Sequence, residues 1–334
     1  PFKKNPKHSG EEIMTRQSSH RYFGILAAFA ISTVMAFGAA PAFAEFPEKP
    51  IKLIVGFRAG GSTDALATAL AKEMEAVLGQ PVVKEVKAGG GGGKAAAAAK
   101  LAAPDGYTLV MAVTPTFAFN TAAIPKKTPY TKDDFDYLES VSKAQEAVYA
   151  KADAPFKTWR EMIAYAKKGN KLTYAAVTPF DKLLVRYINK KEGVNIRTIP
   201  TKGGSGALKN IMGGHTDMGF SGGTHIKMLG KKSINVLVSL RGEPLLDTPK
   251  IPTLMDVGYP ITFEAHFMLA APKGLPANVK KTLLNAIHKG IKGPAVAKIL
   301  KKLPFPKEQL GPKGLTASID AAYGRYVKMV KSLK

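Results

Sequence analysis

Two glycine-rich turns occupy equivalent stations in this chain. Each lies between an apolar, strand-like run and a helix-like run, so residues 51–100 are restricted to a strand, turn, helix repeat. The first turn is Gly56 to Asp64 (GFRAGGSTD) after Ile51 to Val55, and the second is Ala88 to Lys94 (AGGGGGK) after Pro81 to Val86. A strand that ends in glycines and feeds a helix leaves several backbone N–H groups unpaired at the positive end of the helix dipole, which suits an anion. Two such turns in one half of a chain point to a cradle for a carboxylate or a phosphate.

The alternation continues downstream. Leu66, Leu70, Met74 and Val77 recur at helical spacing, with Ser62, Thr63 and Asp64 as cap candidates and Gly79 as the stop. An alanine-rich helix runs toward Pro104-Asp105-Gly106, and Tyr107 to Val113 reads as a third strand. Thr158 with Glu161 makes a capping box for a helix that stops at Gly169, and Lys171 to Val177 is strand-like. Ser205 begins a helix carrying Leu208, Ile211 and Met212, stopped at Gly213 and Gly214. Met218 to Phe220 and Ile234 to Leu240 are further strand candidates, Pro276 and Pro294 mark helix first turns, and Thr316 to Leu333 reads as a final amphipathic helix. The pattern predicts an α/β protein with mostly parallel sheets.

Residues 1–44 read as a secretion signal: Arg16 and Arg21, an apolar stretch from Tyr22 to about Ala40, then Ala42-Phe43-Ala44 before Glu45. An uncleaved anchor is the competing reading, because that stretch approaches the roughly 18 apolar residues of a membrane span. The chain has no cysteine, which excludes disulfides, a thiolate metal site and a lipoprotein-type signal. An exported protein without disulfides fits a bacterial periplasm. The 290 residues after Ala44 exceed a single core of about 250 and predict two lobes.

The formal net charge is +24, and removing the five Lys/Arg and two Asp/Glu of residues 1–44 leaves +21. More than half of that excess lies in residues 273–334, where thirteen Lys and one Arg face only Glu308 and Asp320. A solvated face is the favoured reading, ahead of a surface for acidic ligands or anionic membranes. Nucleic acid is not an expected partner: the lysines lack interleaved aromatics and no groove-reading motif occurs.

Other chemical motifs are incomplete. The segment around Lys94 lacks the Gly and the Ser/Thr of a phosphate-binding loop, having Ala88 and Ala95 there. Gly90, Gly92 and Ala95 fit a loose dinucleotide pattern, but no acidic residue follows at the ribose-holding distance, and no cofactor is expected. Gly219-Phe220-Ser221-Gly222-Gly223 has the spacing of a nucleophile elbow, which makes a Ser221 esterase with Asp256 and His266 or His288 the enzymatic alternative. Histidine spacing offers no metal pair, and Trp159 is expected in the core.

The run PEKPIKLIVGFRAGGSTD with LGQPVV, then APDGYTLV, GGHTDMGF, IPTLMDVGYP and APKGLP, resembles the Bug family, the substrate-binding proteins of tripartite tricarboxylate transporters, from about Phe46 to Pro276. The resemblance implies a non-enzymatic, two-lobed periplasmic binding protein of type II-like, Venus-flytrap form that closes on a small organic carboxylate and delivers it to a membrane permease. A sensor without transport shares the same fold. A monomer is expected, with lobe 1 at 45–147 and 267–334, lobe 2 at 148–266, and crossings near Ala144 to Ala150 and Phe263 to Leu269.

Carried over by position, the resemblance places Phe57, Arg58, Ala59, Gly60, Gly61, Ser62, Thr63 and Asp64 in a first ligand loop. Gly89, Gly90, Gly91 and Gly92 fall in a second, and Thr114 and Thr116 in a third, Thr114 to Phe119. Where family members often have prolines this chain has Arg58 and Ala59, an added cation able to pair with a carboxylate. Asp64 is expected to orient the loop rather than touch an anion. In lobe 2 the segment Ala175 to Leu183 departs most from the family; Thr178, Phe180, Lys202 and Ser205 are the candidates there, with Phe180 selecting an aromatic acid or filling core.

Overall fold

In the computed structural model, which describes residues 45–303 and 305–332, two five-stranded sheets are each flanked by helices. The expected signal, residues 1–44, lies outside the described residues. The first sheet has the order β2, β1, β3, β10, β4, from β1 (Ile51–Val55), β2 (Val82–Val86), β3 (Thr108–Val113), β4 (Phe135–Lys143) and β10 (His266–Pro272). The second has the order β7, β6, β8, β5, β9, from β5 (Ala147–Lys151), β6 (Leu172–Ala176), β7 (Ile196–Pro200), β8 (Met218–Ser221) and β9 (Ile234–Ser239).

The sheets are mixed rather than mostly parallel. In each, the second strand pairs in parallel on both sides, β1 with β2 and β3, β6 with β7 and β8. Then β10 runs antiparallel to β3 and β4, and β5 antiparallel to β8 and β9. The reason is topological: β5 and β10 arrive from the other sheet instead of through a helix on their own, and only a helical crossover imposes a parallel neighbour.

Those two arrivals are stitched together where they pass. The Ala144 amide donates to the Ala265 carbonyl at 2.8 Å, Leu240 N–H to the Glu146 carbonyl at 3.0 Å, and Phe263 N–H to the Leu240 carbonyl at 2.7 Å. Arg241, buried, ties the same place by donating Nη1–H to the Ala144 carbonyl at 3.0 Å.

Helix α1 (Ser62–Leu78) buries Leu66, Leu70 and Met74 against Ile51, Leu53 and Val55, as its 3.6-residue spacing requires, and Gly79 closes it in the left-handed region. The short α2 (Gly93–Lys100) packs its alanines under β3. Two elements arise where the sequence suggested loops. Residues Thr114–Ala123 form α3 directly off β3, with Pro115 in its first turn, and Pro179–Glu192 form α5. Between these helices lies α4 (Trp159–Lys167), in which Thr158 Oγ1 accepts the Glu161 amide while the Glu161 carboxylate reaches the Lys157 amide rather than that of Thr158. Trp159 is in the core, edge-on to Tyr259. After α6 (Gly204–Met212) and α7 (Ile226–Leu229), α8 (Ala277–Lys292) and α9 (Pro294–Lys302) cover the first sheet. The last helix, α10 (Gly311–Ser332), begins five residues before the expected Thr316.

Aromatic rings join the two halves. Phe180 of α5 stacks on Phe263 with centroids 4.3 Å apart, and Phe119 of α3 meets both rings edge-on.

Candidate ligand-binding site

Between the sheets lies a cavity of about 40 Å³. Its lining comes from the first glycine turn (Phe57, Gly61, Ser62, Thr63), from the crossing segments (Ala144, Glu146, Phe263, Ala265, Phe267), and from the ends of β3 and the second sheet (Val113, Val177, Thr178, Gly204, Phe220, Gly222, Thr224). The walls are largely aromatic and aliphatic, so the few polar groups on them set what can be held.

The first turn brings donors. Gly61 caps α1 in an extended conformation with no side chain to cover the helix start. The Gly61 amide donates to the Arg58 carbonyl at 3.3 Å and the Gly60 amide to Asp64 Oδ2 at 2.9 Å, so the turn is closed by its own residues and by the Asp64 carboxylate, which also pairs with Lys84. No acceptor among the described residues takes the amides of Ser62 or Thr63, and the buried Ser62 Oγ has no partner. These are free donors at a helix N-terminus beside the cavity.

Arg58, Ala59, Lys202 and Ser205 do not line the cavity; they latch the halves over it. Arg58 N–H donates to the Lys202 carbonyl at 3.2 Å, and Ser205 Oγ–H to the Ala59 carbonyl at 3.1 Å. The Arg58 and Lys202 side chains border, with Lys87 and Lys94, a separate surface hollow of about 550 Å³. Gly60 is exposed and Asp64 faces the loop and Lys84.

The second glycine turn is packed away from the cavity. The Gly93 amide donates to Gly90 O at 3.1 Å and the Lys94 amide to Gly89 O at 3.3 Å, while Thr116 Oγ1–H and Asn120 Nδ2–H fill the carbonyls of Gly91 and Gly90. Glycine is required for these contacts. A Cβ on Gly56 would come within 2.9 Å of Gly92 Cα, and one on Gly91 within 2.9 Å of Pro179 Cδ. Gly92 therefore buttresses the first turn at Gly56 and Phe57, and Gly91 touches Thr178 and Pro179 on the opposite half, while Gly89 and Gly90 close the turn on Lys94 and Gly93.

Thr114 and Thr116 serve the frame as well: Thr114 Oγ1 accepts the His266 amide at 3.1 Å, and Thr116 bonds the second turn. Thr178 does line the cavity and is also the N-cap of α5. Its hydroxyl accepts the Asp181 amide at 3.4 Å, and Asp181 Oδ2 accepts the amides of Thr178 and Val177 at 2.7 and 2.8 Å. Burial pushes the Asp181 carboxyl up to about 6 in spite of these hydrogen bonds. Phe180 is fully buried in the aromatic cluster and does not line the cavity.

Sequence reasoning missed Glu146, Phe220, Phe263, Phe267 and Thr224. Several lie on the crossing segments that it located, and Glu146 carries a readable signal: a lone acid entering the apolar run AVYA. Glu146 is fully buried, neither carboxylate oxygen has a hydrogen-bond partner among the described residues, and burial pushes its carboxyl up to about 8, with Arg241 opposing.

The Ser221 esterase reading is overturned. Ser221 is fully buried, and its Oγ already accepts the amides of Gly223 and His225 at 3.0 and 3.1 Å and contacts Thr224 Oγ1 and His225 Nδ1. His225 Nε2 lies 2.9 Å from Asp247 Oδ2, so a serine, a histidine and an acid do assemble, but not with Asp256, His266 or His288. This buried chain holds the 222–224 turn at the cavity wall.

The model of the tripartite tricarboxylate transporter family receptor matches residues 66–313. A Cupriavidus necator protein described as the UPF0065 protein in the gbd 5' region is 32% identical over 285 residues, covering 84% of this chain and 86% of that one. The structure of the periplasmic binding protein BugD superposes with a TM-score of 0.77 at 26% identity, over 86% of this chain and 98% of BugD. MatC from Rhodopseudomonas palustris with bound malate does so with a TM-score of 0.76 at 25% identity, over 85% of this chain and all of MatC. Its relatives are solute-binding proteins rather than enzymes, and the chain belongs to the tripartite tricarboxylate transporter receptor family of periplasmic solute-binding proteins.

Proposed function

We propose that this protein is an exported receptor that closes two lobes, residues 45–147 with 267–334 and residues 148–266, on a small organic carboxylate and presents it to the permease of a tripartite transporter. The observation that carries the reading is the pair of uncommitted amides at Ser62 and Thr63 beside a cavity walled by both sheets. Bound malate in MatC supports the ligand class. The segment 1–44 supports export, and among the described residues no helix is long and apolar enough to cross a membrane.

Closure follows from where the contacts lie. A carboxylate on the Ser62 and Thr63 amides belongs to the first lobe, whereas Thr178, Phe220 and Thr224 belong to the second, so one ligand stabilises the arrangement that brings them together. The Arg58 to Lys202 and Ser205 to Ala59 hydrogen bonds link the two lobes in this arrangement. The monomeric receptor then offers its closed form to the permease.

The test is a thermal-unfolding screen of the purified protein against small mono-, di- and tricarboxylates, with mass spectrometry of any small molecule released on denaturation. A ligand at 100 times its Kd raises stability by about 2.7 kcal/mol, a shift of a few degrees. A panel of these acids that leaves the unfolding temperature unmoved at millimolar concentration overturns the reading.

A further inference from the structure

The carboxylate reading leaves one group in the cavity unexplained. Glu146 sits on the first crossing segment, immediately before β5, and shares the cavity with Ser62 and Thr63. Anion-holding donors and an unpartnered acid lining the same cavity are an odd pair unless the ligand carries both signs. Among the described residues both Glu146 oxygens lack a partner, and so does Ser62 Oγ on the first turn.

We propose that Glu146 selects the ligand: the cavity takes a small amino-substituted carboxylate, whose carboxylate meets the Ser62 and Thr63 amides and whose ammonium pairs with Glu146. This rests on the carboxylate reading and adds the second functional group.

An ammonium fits better than a hydroxyl or a second carboxylate. Two unpartnered acceptor oxygens call for more than one donor, and an ammonium has three where a hydroxyl has one. A second ligand carboxylate is held only while Glu146 keeps its proton and donates it, through one hydrogen bond; once the acid ionises, like charges meet in a largely apolar cavity, where desolvation magnifies the cost. A buried charge is tolerated when it is paired, and the ligand supplies the pair on entering. The cavity, about 40 Å³, has room for roughly three waters, which favours a compact ligand spanning the two groups.

The charged and titratable groups facing Glu146 come from several elements: Arg241 after β9, Lys143 at the end of β4, Glu264 before β10 and Tyr326 on α10. Arg241 acts on Glu146 through its charge and not through a hydrogen bond: its Nη1 is spent on the Ala144 carbonyl and its Nη2 on the Glu243 carboxylate, and its buried Nε–H has no acceptor among the described residues. Lys143 is likewise engaged by Glu243 and Glu264. The acid is therefore held protonated up to about pH 8 in the free protein. An ammonium ligand must ionise it. Below that pH, binding releases up to one proton, and affinity rises with pH by at most about tenfold per unit before levelling.

The experiment is calorimetric titration of matched pairs, aspartate against succinate, glutamate against glutarate and γ-aminobutyrate against butyrate, in buffers of different ionisation enthalpy, with the native protein and Glu146→Gln. The expected result is at least tenfold preference for the amino member of the pair that fits, proton release on its binding, and loss of both in Glu146→Gln. Equal or stronger binding of the unsubstituted acid by the native protein overturns the inference while leaving the carboxylate reading intact. So does amino-acid binding without proton release, a measurement on the native protein that holds even if Glu146→Gln fails to fold. No binding of any of the six overturns the inference, and the wider acid panel then decides the carboxylate reading separately.

Discussion

The two glycine-rich turns read alike in sequence and end in opposite conditions. The first, at 56–64, closes on itself through the Gly61 to Arg58 and Gly60 to Asp64 hydrogen bonds and leaves the next two amides, Ser62 and Thr63, free beside the cavity. The second, at 88–94, spends its Gly93 and Lys94 amides on its own carbonyls and lends other carbonyls to Thr116 and Asn120. A glycine-rich strand-to-helix turn is thus a potential anion site only until its neighbours are known. Here Thr116, Asn120 and Tyr130 convert the second into a wedge that holds the first.

Proline at the first helical position separates the two conditions, because it removes one amide and nothing else from a helix start. In the second turn, Gly93→Pro breaks the bond to Gly90, crowds Asn120 and places proline after Gly92, whose φ of 88° lies in the left-handed region. The expected cost is about 3 kcal/mol of stability by urea or thermal unfolding, with ligand affinity of the folded fraction changed only a few-fold. An unchanged midpoint with lost binding would reverse the roles assigned to the two turns.

In the first turn the same chemistry has the opposite readout. Gly61 is already extended, as a residue before proline prefers, and the Ser62 amide has no internal acceptor to lose. Ser62→Pro is expected to leave the unfolding midpoint within a few degrees and to weaken the tightest-binding acid of the panel by about 10- to 150-fold, the worth of roughly 1.5–3 kcal/mol for a hydrogen bond to a charged group. Ser62→Ala, which keeps the amide, separates the main-chain contribution from that of the hydroxyl. Undiminished calorimetric affinity in the proline variant removes the Ser62 amide from the site.

A second contrast sets the start of α1 against that of α5. The first is bare; the second is sealed by Thr178 and Asp181 in a reciprocal pair of caps. Thr178→Ala is expected to cost about 1 kcal/mol of stability, read from the urea midpoint, with a smaller change in binding energy. A binding loss well above the stability loss would promote the Thr178 hydroxyl from cap to ligand contact.

How far the sequence discloses this follows from the range of the forces involved. Strands β1 and β3 and helix α1 were legible because apolar spacing and the closing Gly79 are local signals. The start of helix α5 is also written locally, since Thr178-Pro179-Phe180-Asp181 holds both an N1 proline and a capping pair, and the resemblance, which matches this segment to a loop, masks that signal. The mixed sheets were not legible, because the direction of β5 and β10 depends on strands far off in sequence. The first turn's place at the cavity was readable from its glycines. Its difference from the second was not, since Thr116 reaches Gly91 across 25 residues and Pro179 meets Gly91 from the other half. Glu146 needed the fold too: only burial shows that its acid is bare.

The smallest expected effect concerns Arg58, which belongs to the first turn but points its charge into the surface hollow shared with Lys87, Lys94 and Lys202. Four cations bordering a hollow attract an anion before it reaches the amides, and exposed charges act at a distance mainly on the rate of encounter. Arg58→Ala keeps the Arg58 amide and its bond to Lys202, so the latch survives. Stopped-flow association of the bound acid is expected to slow by a few-fold at low salt and to converge on the native rate near 1 M salt, where the screening length falls to about 3 Å. Dissociation is expected to stay the same. A slower association that persists at high salt, or a faster dissociation, would place the guanidinium on the bound ligand and make the first turn a site of side chains as well as of main-chain amides.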